Sequence, residues 1–311
     1  MSKYTLVIHG GSGTILKENM SAEMEAKYRD GLQEALTVGF TELEKGNTAA
    51  YAVKAAVITL ENNILFNAGR GSVFTKNGRH EMDAAIMDGS NLAAGAVAAV
   101  QNIRNPVELA EKVMVNSEHV FLCGEGAGEF AKIMKVKTEP DEYFYSQFRN
   151  DQWKAIRDRD TTALDHDILL EENKFGTVGA VACDRAGNIA AATSTGGMTN
   201  KQYGRIGDSP MIGCGTYANN KTCAISCTGH GEPFIRATAA YDVSCLMEYK
   251  NLSLMEAMNM VVNDKLIKLK GNGGMIGVDA IGNAAMIFNC SGMHRGLKNS
   301  DGLNEVAIFR E

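Results

Sequence analysis

Short apolar runs joined by tight turns are the feature that most constrains the fold of this chain. TVGAVACD (177–184) and IAAATST (189–195) flank an Asp-Arg-Ala-Gly-Asn turn, and MIGVDAIGNAAMIFN (275–289) repeats the strand–turn–strand pattern. Such hairpins build antiparallel sheets. Amphipathic helical patterns run from Ser21 to Gly46 and from Asn47 or Thr48 to Asn62. The order of elements favours an α+β fold of mixed sheets covered by helices, which a four-layer αββα sandwich satisfies.

The other predicted elements follow from shorter patterns. Capping residues predict helices that begin at Asn105-Pro106 and at Ser253, the second with a capping box of Ser253 and Glu256. A further helix is predicted from Pro233 to about Tyr249. Apolar runs predict β-strands or β-like segments at 5–8, 72–75, 81–87, 92–100, 119–123 and 223–228.

Composition excludes several classes of protein. Hydrophobic residues make up 45% of the chain and charged residues 22%, which are values of an ordinary globular protein rather than a disordered or fibrous one. A net charge of −6 without basic blocks argues against nucleic acid and membrane surfaces as partners. The longest apolar stretch, 92–100, is about half of the roughly 18 residues of a membrane helix, and no secretory signal opens the chain. We therefore expect a cytoplasmic protein.

The glycine cluster GEGAGEF (124–130) carries an alternative function. After a predicted strand it invites a dinucleotide or metabolite site, but its spacing is GxGxG and a tight strand-to-helix turn explains it better. A non-catalytic metabolite-binding module built on this cluster is one competing hypothesis. Walker, HExxH and zinc-ligand patterns are absent from the sequence, so transition-metal catalysis is not expected.

The junction before the hairpin holds a candidate nucleophile. Twelve of the 26 residues from Arg149 to Lys174 are charged and show no periodicity, which predicts a flexible linker over 149–176. Breaking the Gly176–Thr177 bond would give Thr177 a free α-amine with a pKa near 8, a base for its own hydroxyl. Gly176 tolerates the strain that such a cut needs. Taken alone, the junction favours a plain linker before a strand.

Further motifs favour a nucleophile at Thr177 over a plain linker. One loop-like stretch (193–210) combines threonine, paired glycines, arginine and aspartate, and CTGHGE (227–232) ends a strand with parts of an oxyanion hole. The sequence resembles the plant-type L-asparaginases, also called isoaspartyl peptidases or beta-aspartyl-peptidases, which are N-terminal-nucleophile hydrolases. The motifs that carry the resemblance span nearly the whole chain: HGGSG (9–13), FNAGRGSVF (66–74), EMDAAIMDG (81–89), AGAVAAV (94–100), GTVGAVACD (176–184), TSTGGMTNK (193–201), GRIGDSP (204–210) and SCTGHGE (226–232).

The resemblance implies an organisation and a set of roles. The chain would form one domain over 1–311, cut after Gly176 into an α subunit (1–176) and a β subunit (177–311), and would assemble as a dimer of cleaved heterodimers. The implied roles are nucleophile for Thr177, its hydrogen-bond partner for Thr195, α-carboxylate binding for Arg205, α-amine binding for Asp208, oxyanion hole and substrate contacts for Thr228 and Gly229, and a further active-site asparagine for Asn67.

The resemblance implies no catalytic cofactor, but a structural sodium ion in the loop from Leu60 to Arg70. Its ligands would be the backbone carbonyls of Leu60, Glu61, Asn63, Phe66, Ala68 and Arg70. Arg70 stands where the resembled proteins carry a small or apolar residue.

The implied reaction hydrolyses the side-chain amide of L-asparagine and the β-aspartyl bond of isoaspartyl dipeptides, both small molecules. The nearest alternative is a glycosylasparaginase-like hydrolase of the same fold with another leaving group.

Overall fold

The fold is built on twelve β-strands in two sheets, as seen in a computed structural model that describes residues 3–158 and 176–310. The strands of the described residues are β1 (Thr5–Gly13), β2 (Met82–Asp88), β3 (Ala94–Val100), β4 (Phe121–Cys123), β5 (Val178–Cys183), β6 (Ile189–Thr195), β7 (Thr216–Ala218), β8 (Cys223–Gly229), β9 (Gly273–Asp279), β10 (Ala284–Phe288), β11 (Gly292–Asn299) and β12 (Asn304–Phe309). Eight form a sheet in the order β12-β11-β1-β5-β6-β2-β3-β4, and four form a second sheet in the order β10-β9-β8-β7. All neighbouring pairs are antiparallel except β3 with β4, so the larger sheet is mixed.

Helices cover the outer face of each sheet. The helices of the described residues are α1 (Ala22–Glu44), α2 (Ala49–Asn62), α3 (Pro106–Asn116), α4 (Gly124–Ile133), α5 (Asp141–Phe144), α6 (Gln147–Ile156), α7 (Gly231–Ala237), α8 (Ala239–Lys250), α9 (Leu254–Met260) and α10 (Leu266–Lys268), the last two joined by a π-helical turn (Val261–Lys265). Among these described elements, no helix combines the length and the apolar character needed to cross a membrane.

Two hydrophobic cores hold the layers together. One core lies between α1–α3 and the larger sheet and includes Leu36, Val57 and Ala180. The other lies between the two sheets and beneath α7–α9, and includes Val181, Ile225 and Val261. The layers therefore run helix, sheet, sheet, helix. The predicted α+β sandwich is confirmed.

Most predicted helix starts are confirmed. Ser21 and Thr48 cap α1 and α2 by accepting backbone N–H groups, as their hydroxyl oxygens at an N-cap should. Ser253 and Glu256 form the predicted capping box at the start of α9. The predicted helix at 233–249 is two helices, because Thr238 adopts φ +48° and interrupts it. The GEGAG cluster is not a turn before a helix; it forms the first turns of α4 itself.

Two predictions in the first half of the chain are wrong. Residues 72–75 are irregular rather than β-like, because their backbone bonds to a side chain and to a distant loop: Val73 donates its N–H to Asn67 Oδ1, and the Phe74 carbonyl accepts the N–H of Asn200. The flexible linker does not begin at Arg149, because 147–156 is helix α6 and Arg149 is buried with its Nε donating to the carbonyl of Gly71 at 3.0 Å. Most of the remaining predicted linker, 159–175, lies outside the described residues.

Candidate active site

Thr177 lies directly before strand β5, and its side chain is buried. The antiparallel register of β5 and β6 pairs Val178 with Ser194, so Thr177 lies beside Thr195 at the end of β6. The Thr177 hydroxyl donates to Thr195 Oγ1 at 3.2 Å, and Thr195 Oγ1 also accepts the N–H of Gly197 at 3.0 Å. The sheet register thus brings the two predicted threonines into contact.

The predicted cleavage bond lies where strands β1 and β8 end. Gly11 has φ +112°, and a Cβ built on it would lie 2.6 Å from the backbone nitrogen of Gly176, so only glycine fits there. Ser12 donates its N–H to Thr228 Oγ1 at 3.2 Å and its hydroxyl to the Thr228 carbonyl at 3.1 Å. A Cβ built on Gly176 would lie 3.7 Å from Thr228 Oγ1. The glycine-rich segment 9–13 therefore packs against Gly176 and forms hydrogen bonds with Thr228.

A narrow cleft leads to Thr177. It leaves a volume of about 20 Å³, little more than one water molecule occupies. Gly176 forms part of the wall of the cleft. Its lining residues are Ser12, Gly176, Thr177, Thr195, Gly197, Met198, Arg205, Gly207, Asp208, Ser209 and Gly229.

A carboxylate with an open hydrogen-bonding position lines this cleft. Asp208 is buried, and its Oδ2 has no hydrogen-bond partner among the described residues. Burial raises the pKa of Asp208 to about 6, although the positive charge of Arg205 opposes the rise. A Cβ built on Gly231 would lie 2.9 Å from Asp208 Oδ1 and 3.0 Å from Arg205 Nη2. Glycine at 231 therefore keeps the space beside the two charged groups free of a side chain.

Arg205 is held by a partner that the sequence analysis did not assign. Its Nε and Nη2 donate to the two carboxylate oxygens of Glu232 at 3.0 and 2.9 Å, a bidentate pair. His230 Nε2 lies 3.0 Å from the same carboxylate. These bonds hold the pKa of Glu232 well below its usual range, with the contact to His230 the largest cause. The bidentate pair uses one edge of the guanidinium and fixes its plane.

Strand β8 ends with the two residues predicted for the oxyanion hole. Thr228 is buried, and Gly229 lines the cleft with φ +142°. A Cβ on Gly229 would lie 2.4 Å from the carbonyl oxygen of Asn272. The backbone at 229 can therefore approach the cleft only as glycine.

Asn67 lies near the site, where its hydrogen bonds connect two loops. Its Nδ2 donates to the carbonyl of Gly197 at 2.8 Å, and its Oδ1 accepts the N–H of Val73 at 3.1 Å. Its backbone carbonyl accepts the N–H of Gly196 at 3.0 Å. Asn67 thus holds the turn that follows Thr195.

The loop predicted to hold sodium is tightly closed around two glycines. A Cβ on Gly71 would lie 2.1 Å from the carbonyl oxygen of Phe66, and one on Gly69 would lie 2.5 Å from that of Glu61. The Glu61 side chain points away from the loop, since it accepts the N–H of Val107 at 3.0 Å, and burial raises its pKa to about 8. Arg70 is exposed, with its guanidinium carbon 5.4 Å from the Tyr143 ring centroid.

Among the described residues, no group of three or more His, Cys, Asp or Glu side chains is placed to hold a metal ion.

Comparison with known proteins decides the family. A family model described as asparaginase matches residues 2–308. The chain belongs to this asparaginase family. It is 49% identical to the isoaspartyl peptidase of Escherichia coli over 313 residues, which is 100% of this chain and 98% of that protein. It is also 49% identical to the isoaspartyl peptidase of Salmonella typhimurium, covering 100% of both, and 40% identical to the isoaspartyl peptidase/L-asparaginase of Xenopus laevis, covering 99% of this chain and 96% of that protein.

Membership of the asparaginase family confirms the resemblance found in the motifs. The structure brings Thr177, Thr195, Arg205, Asp208 and Gly229 to one cleft, with Gly176 in its wall and Thr228 adjacent. Asn67 and the loop from Leu60 to Arg70 support that cleft from outside.

Among the residues of the cleft and its rim that were not predicted from the sequence, three have polar side chains, namely Ser12, Ser209 and Glu232. Each lies within a motif that was quoted. Ser209 Oγ is 3.5 Å from the Thr177 hydroxyl, and its position after Asp208 was the one available signal.

Proposed function

We propose that this protein hydrolyses the side-chain amide of L-asparagine and the β-aspartyl bond of isoaspartyl dipeptides, after cutting itself between Gly176 and Thr177. The observation that carries the proposal is the cleft itself: a threonine hydroxyl bonded to a second threonine, opposite a fixed arginine and a buried aspartate. The names of the relatives, isoaspartyl peptidase and L-asparaginase, support the substrate class.

Self-cleavage would begin with the Thr177 hydroxyl attacking the carbonyl carbon of Gly176. The peptide C–N bond breaks, the Thr177 nitrogen takes the proton, and an ester joins Gly176 to Thr177 Oγ1. Water hydrolyses that ester. The products are a free α-amine on Thr177 and a free carboxylate on Gly176, and departure of Gly176 from the wall opens the cleft to a substrate.

Turnover would use the same hydroxyl, now beside its own amine. The amine takes the Thr177 hydroxyl proton while Oγ1 attacks the side-chain carbonyl of the substrate. Thr228 and Gly229 would stabilise the oxyanion, and the amine returns the proton to the departing ammonia or peptide amine. Water then hydrolyses the β-aspartyl ester and releases aspartate.

Substrate selection would rest on Arg205 and Asp208. A free α-carboxylate suits the guanidinium, and a free α-amine suits the open oxygen of Asp208. An internal asparagine has neither group free, so it would leave Asp208 and the edge of the Arg205 guanidinium that Glu232 does not use without a ligand in a desolvated cleft.

The deciding experiment combines mass spectrometry with steady-state kinetics. The purified protein should appear as fragments of 176 and 311 − 176 = 135 residues. Thr177→Ala should stay whole and inactive, whereas Thr177→Ser, which keeps a hydroxyl, should still be cut. Cleavage of Thr177→Ala at the same bond would overturn the proposed nucleophile.

Substrate comparison tests the alternatives. We expect kcat/KM for asparagine and a β-aspartyl dipeptide to exceed that for N-acetyl-asparagine and glutamine by roughly 100-fold or more, because a misplaced reacting carbonyl alone costs about that much. A glycosylated asparagine as the best substrate would favour the glycosylasparaginase-like alternative. An intact chain that binds metabolites without turnover would favour a binding module.

The loop from Leu60 to Arg70 is proposed to hold a sodium ion through its carbonyl oxygens. The close packing of the Glu61 and Phe66 carbonyls around Gly69 and Gly71 supports this proposal. The melting temperature should be higher in sodium chloride than in choline chloride of equal ionic strength. Equal melting temperatures would remove the ion from the description.

A dimer of cleaved heterodimers is proposed as the assembly, and the cytoplasm remains the predicted compartment. Exposed apolar residues at the end of α3, just before and on β4, and at the end of α4 support a covered face: Val115, Val120, Phe121 and Ile133. Light scattering should give about twice the 33.4 kDa of one chain, and Phe121→Glu combined with Ile133→Glu should give one copy.

A further inference from the structure

A row of buried polar groups crosses the otherwise apolar space between the two sheets. His9 on β1, Gly179 on β5 and Thr193 on β6 are direct neighbours in the larger sheet, because His9 pairs with Gly179 and Gly179 pairs with Thr193. Ser226 of the second sheet faces this row, and its Oγ lies 2.8 Å from His9 Nε2 and 2.7 Å from Thr193 Oγ1. All the side chains of this row are fully buried.

Gly179 makes the space for these contacts. A Cβ built on it would lie 2.0 Å from Ser226 Oγ and 2.4 Å from His9 Nε2. Its backbone is extended, so glycine is needed here for room rather than for its dihedral angles. The glycine of the GTVG motif and the histidine of the HGGSG motif are thus two parts of one arrangement.

The row connects two places next to the nucleophile. At one end, His9 Nδ1 lies 3.0 Å from the backbone carbonyl oxygen of Thr177. At the other end, Thr216 Oγ1 lies 2.7 Å from Thr193 Oγ1 and 2.9 Å from the carbonyl oxygen of Ser209. The network therefore begins at the nucleophile and ends at the serine whose hydroxyl is 3.5 Å from the Thr177 hydroxyl.

The hydrogen-bond partners of His9 and its burial together determine the protonation state of the imidazole. The Thr177 carbonyl can only accept, so His9 Nδ1 carries a hydrogen. Four contacts then link His9 Nε2 to the Ser209 carbonyl, and the three hydroxyls between them supply three hydrogens. A second hydrogen on the imidazole would give every contact its own hydrogen, but burial opposes the positive charge and lowers the pKa of His9 to about 3. The Thr216 hydroxyl instead shares its one hydrogen between Thr193 Oγ1 and the Ser209 carbonyl. The imidazole is neutral at physiological pH, and Nε2 accepts from Ser226.

We propose that His9 is a positioning residue for the nucleophile: a neutral imidazole with its hydrogen on Nδ1 that fixes the Thr177 carbonyl and, through it, the direction of the Thr177 hydroxyl. The inference rests on the proposed role of Thr177. Thr177 precedes the first residue pair of β5, Val178 with Ser194, so that ladder does not hold its carbonyl. After cleavage the residue is attached to the chain on one side only, and rotation of its carbonyl would carry Oγ1 away from Thr195.

Two amide variants separate positioning from filling of space. The Asn side chain places an N–H near the position of His Nδ1, whereas the longer Gln side chain places it near Nε2. His9→Asn should keep most of kcat, because it can still donate to the Thr177 carbonyl. His9→Gln and His9→Ala should lower kcat by about 10- to 100-fold, as expected for a displaced reacting atom, with KM within about twofold.

Each kinetic measurement is normalised to the amount of cleaved chain, and melting temperatures report the fold. Equal kcat for His9→Asn and His9→Gln, or an unchanged kcat for His9→Ala, would overturn the proposal. A residue that merely fills space predicts the reverse order, since Gln is closer to His in volume than Asn is.

A measurement on the unaltered protein removes any dependence on folding of variants. Nitrogen-15 NMR of histidine-labelled protein, with the His9 signals identified by their loss in His9→Asn, should show a neutral Nδ1–H ring whose two signals do not move between pH 5 and 8. A neutral Nε2–H ring, or titration in that range, would overturn the proposal. Hydrolysis that survives Thr177→Ala would instead refute the proposed function, and the ring state would be unaffected.

Discussion

The two faces of the central strands β1, β5 and β6 differ in a way that separates stability from chemistry. The face beneath the helices is mostly apolar, as Leu6 and Ile8 of β1 show, and its polar exception is Ser194 of β6 beside the buried Glu61 of α2. The face towards the second sheet is apolar at Val7 and Val181. It becomes polar near Thr177, where His9 is the next residue of β1 on that face after Val7. Because both faces alternate along the same strands, a single register places the apolar core and the site together.

The site therefore lies at one end of the core between the two sheets and is not formed by surface loops alone. Polar groups buried there are satisfied by one another, which rigidifies the residues next to the nucleophile. The following changes should therefore affect activity and stability separately.

Arg205→Ala should have the largest effect on activity. Removing one partner of a desolvated charge pair costs about 3–5 kcal/mol, which corresponds to roughly 100- to 5000-fold in kcat/KM. Arg236→Ala, an exposed arginine on α7, is the matched control and should be neutral. A kcat/KM for Arg205→Ala within tenfold of the unaltered protein would contradict the assigned role.

Leu36→Ala tests the opposite face. Leu36 is fully buried in the helix-covered core, so the truncation should lower the free energy of unfolding by about 2–5 kcal/mol. Urea denaturation measures this loss, while kcat of the folded enzyme should be unchanged. Val38→Ala, on the exposed side of the same helix, is the control. A large loss of kcat would show that the two faces are coupled.

Glu232→Gln, at the rim of the site, should raise KM. The amide keeps one acceptor for Arg205 but loses the bidentate carboxylate, so KM should rise about tenfold, as a change of about 1.4 kcal/mol implies. Glu248→Gln on α8 changes an exposed carboxylate and serves as control. An unchanged KM would mean that Glu232 does not orient the guanidinium.

The pH dependence of KM should be the smallest effect. Burial raises the pKa of Asp208 to about 6, so the charge that binds the substrate amine is present above that pH and is lost as the pH falls through it. KM for asparagine should about double at pH 6 relative to pH 8, a change of one half in the ionised fraction. A KM that stays constant down to pH 5 would argue against an ionic contact with the amine.

Local signals account for the elements that could be predicted. Ser21, Thr48 and Ser253 determine helix starts through side-chain hydrogen bonds to their own next turn, so neighbouring residues suffice. The hairpin of β5 and β6 likewise joins strands that are adjacent in sequence. Helix α6 was missed because its charged composition is that of a solvated segment, while Arg149 is buried by contact with Gly71, 78 residues earlier.

Strand β11 shows the limit of such signals most clearly. Its sequence GMHRGLKN has no regular alternation of apolar and polar residues, yet it pairs along the whole of β1. This pairing satisfies the backbone N–H and C=O groups on that side of β1. Pairing between residues almost 300 positions apart is decided by the assembled sheet and not by local propensity.

The family, the two hairpins, the main helix starts and most residues of the cleft could be predicted from residue types and their spacing, since the chemistry of a site requires particular residue types. Which groups touch follows from the folded structure alone. Glu232 holds Arg205, Asn67 holds a turn, and His9 reaches the Thr177 carbonyl across 168 positions of the chain. Hydrogen bonds of this kind depend on distance and direction in space, and neither is encoded in the spacing of residues along the chain.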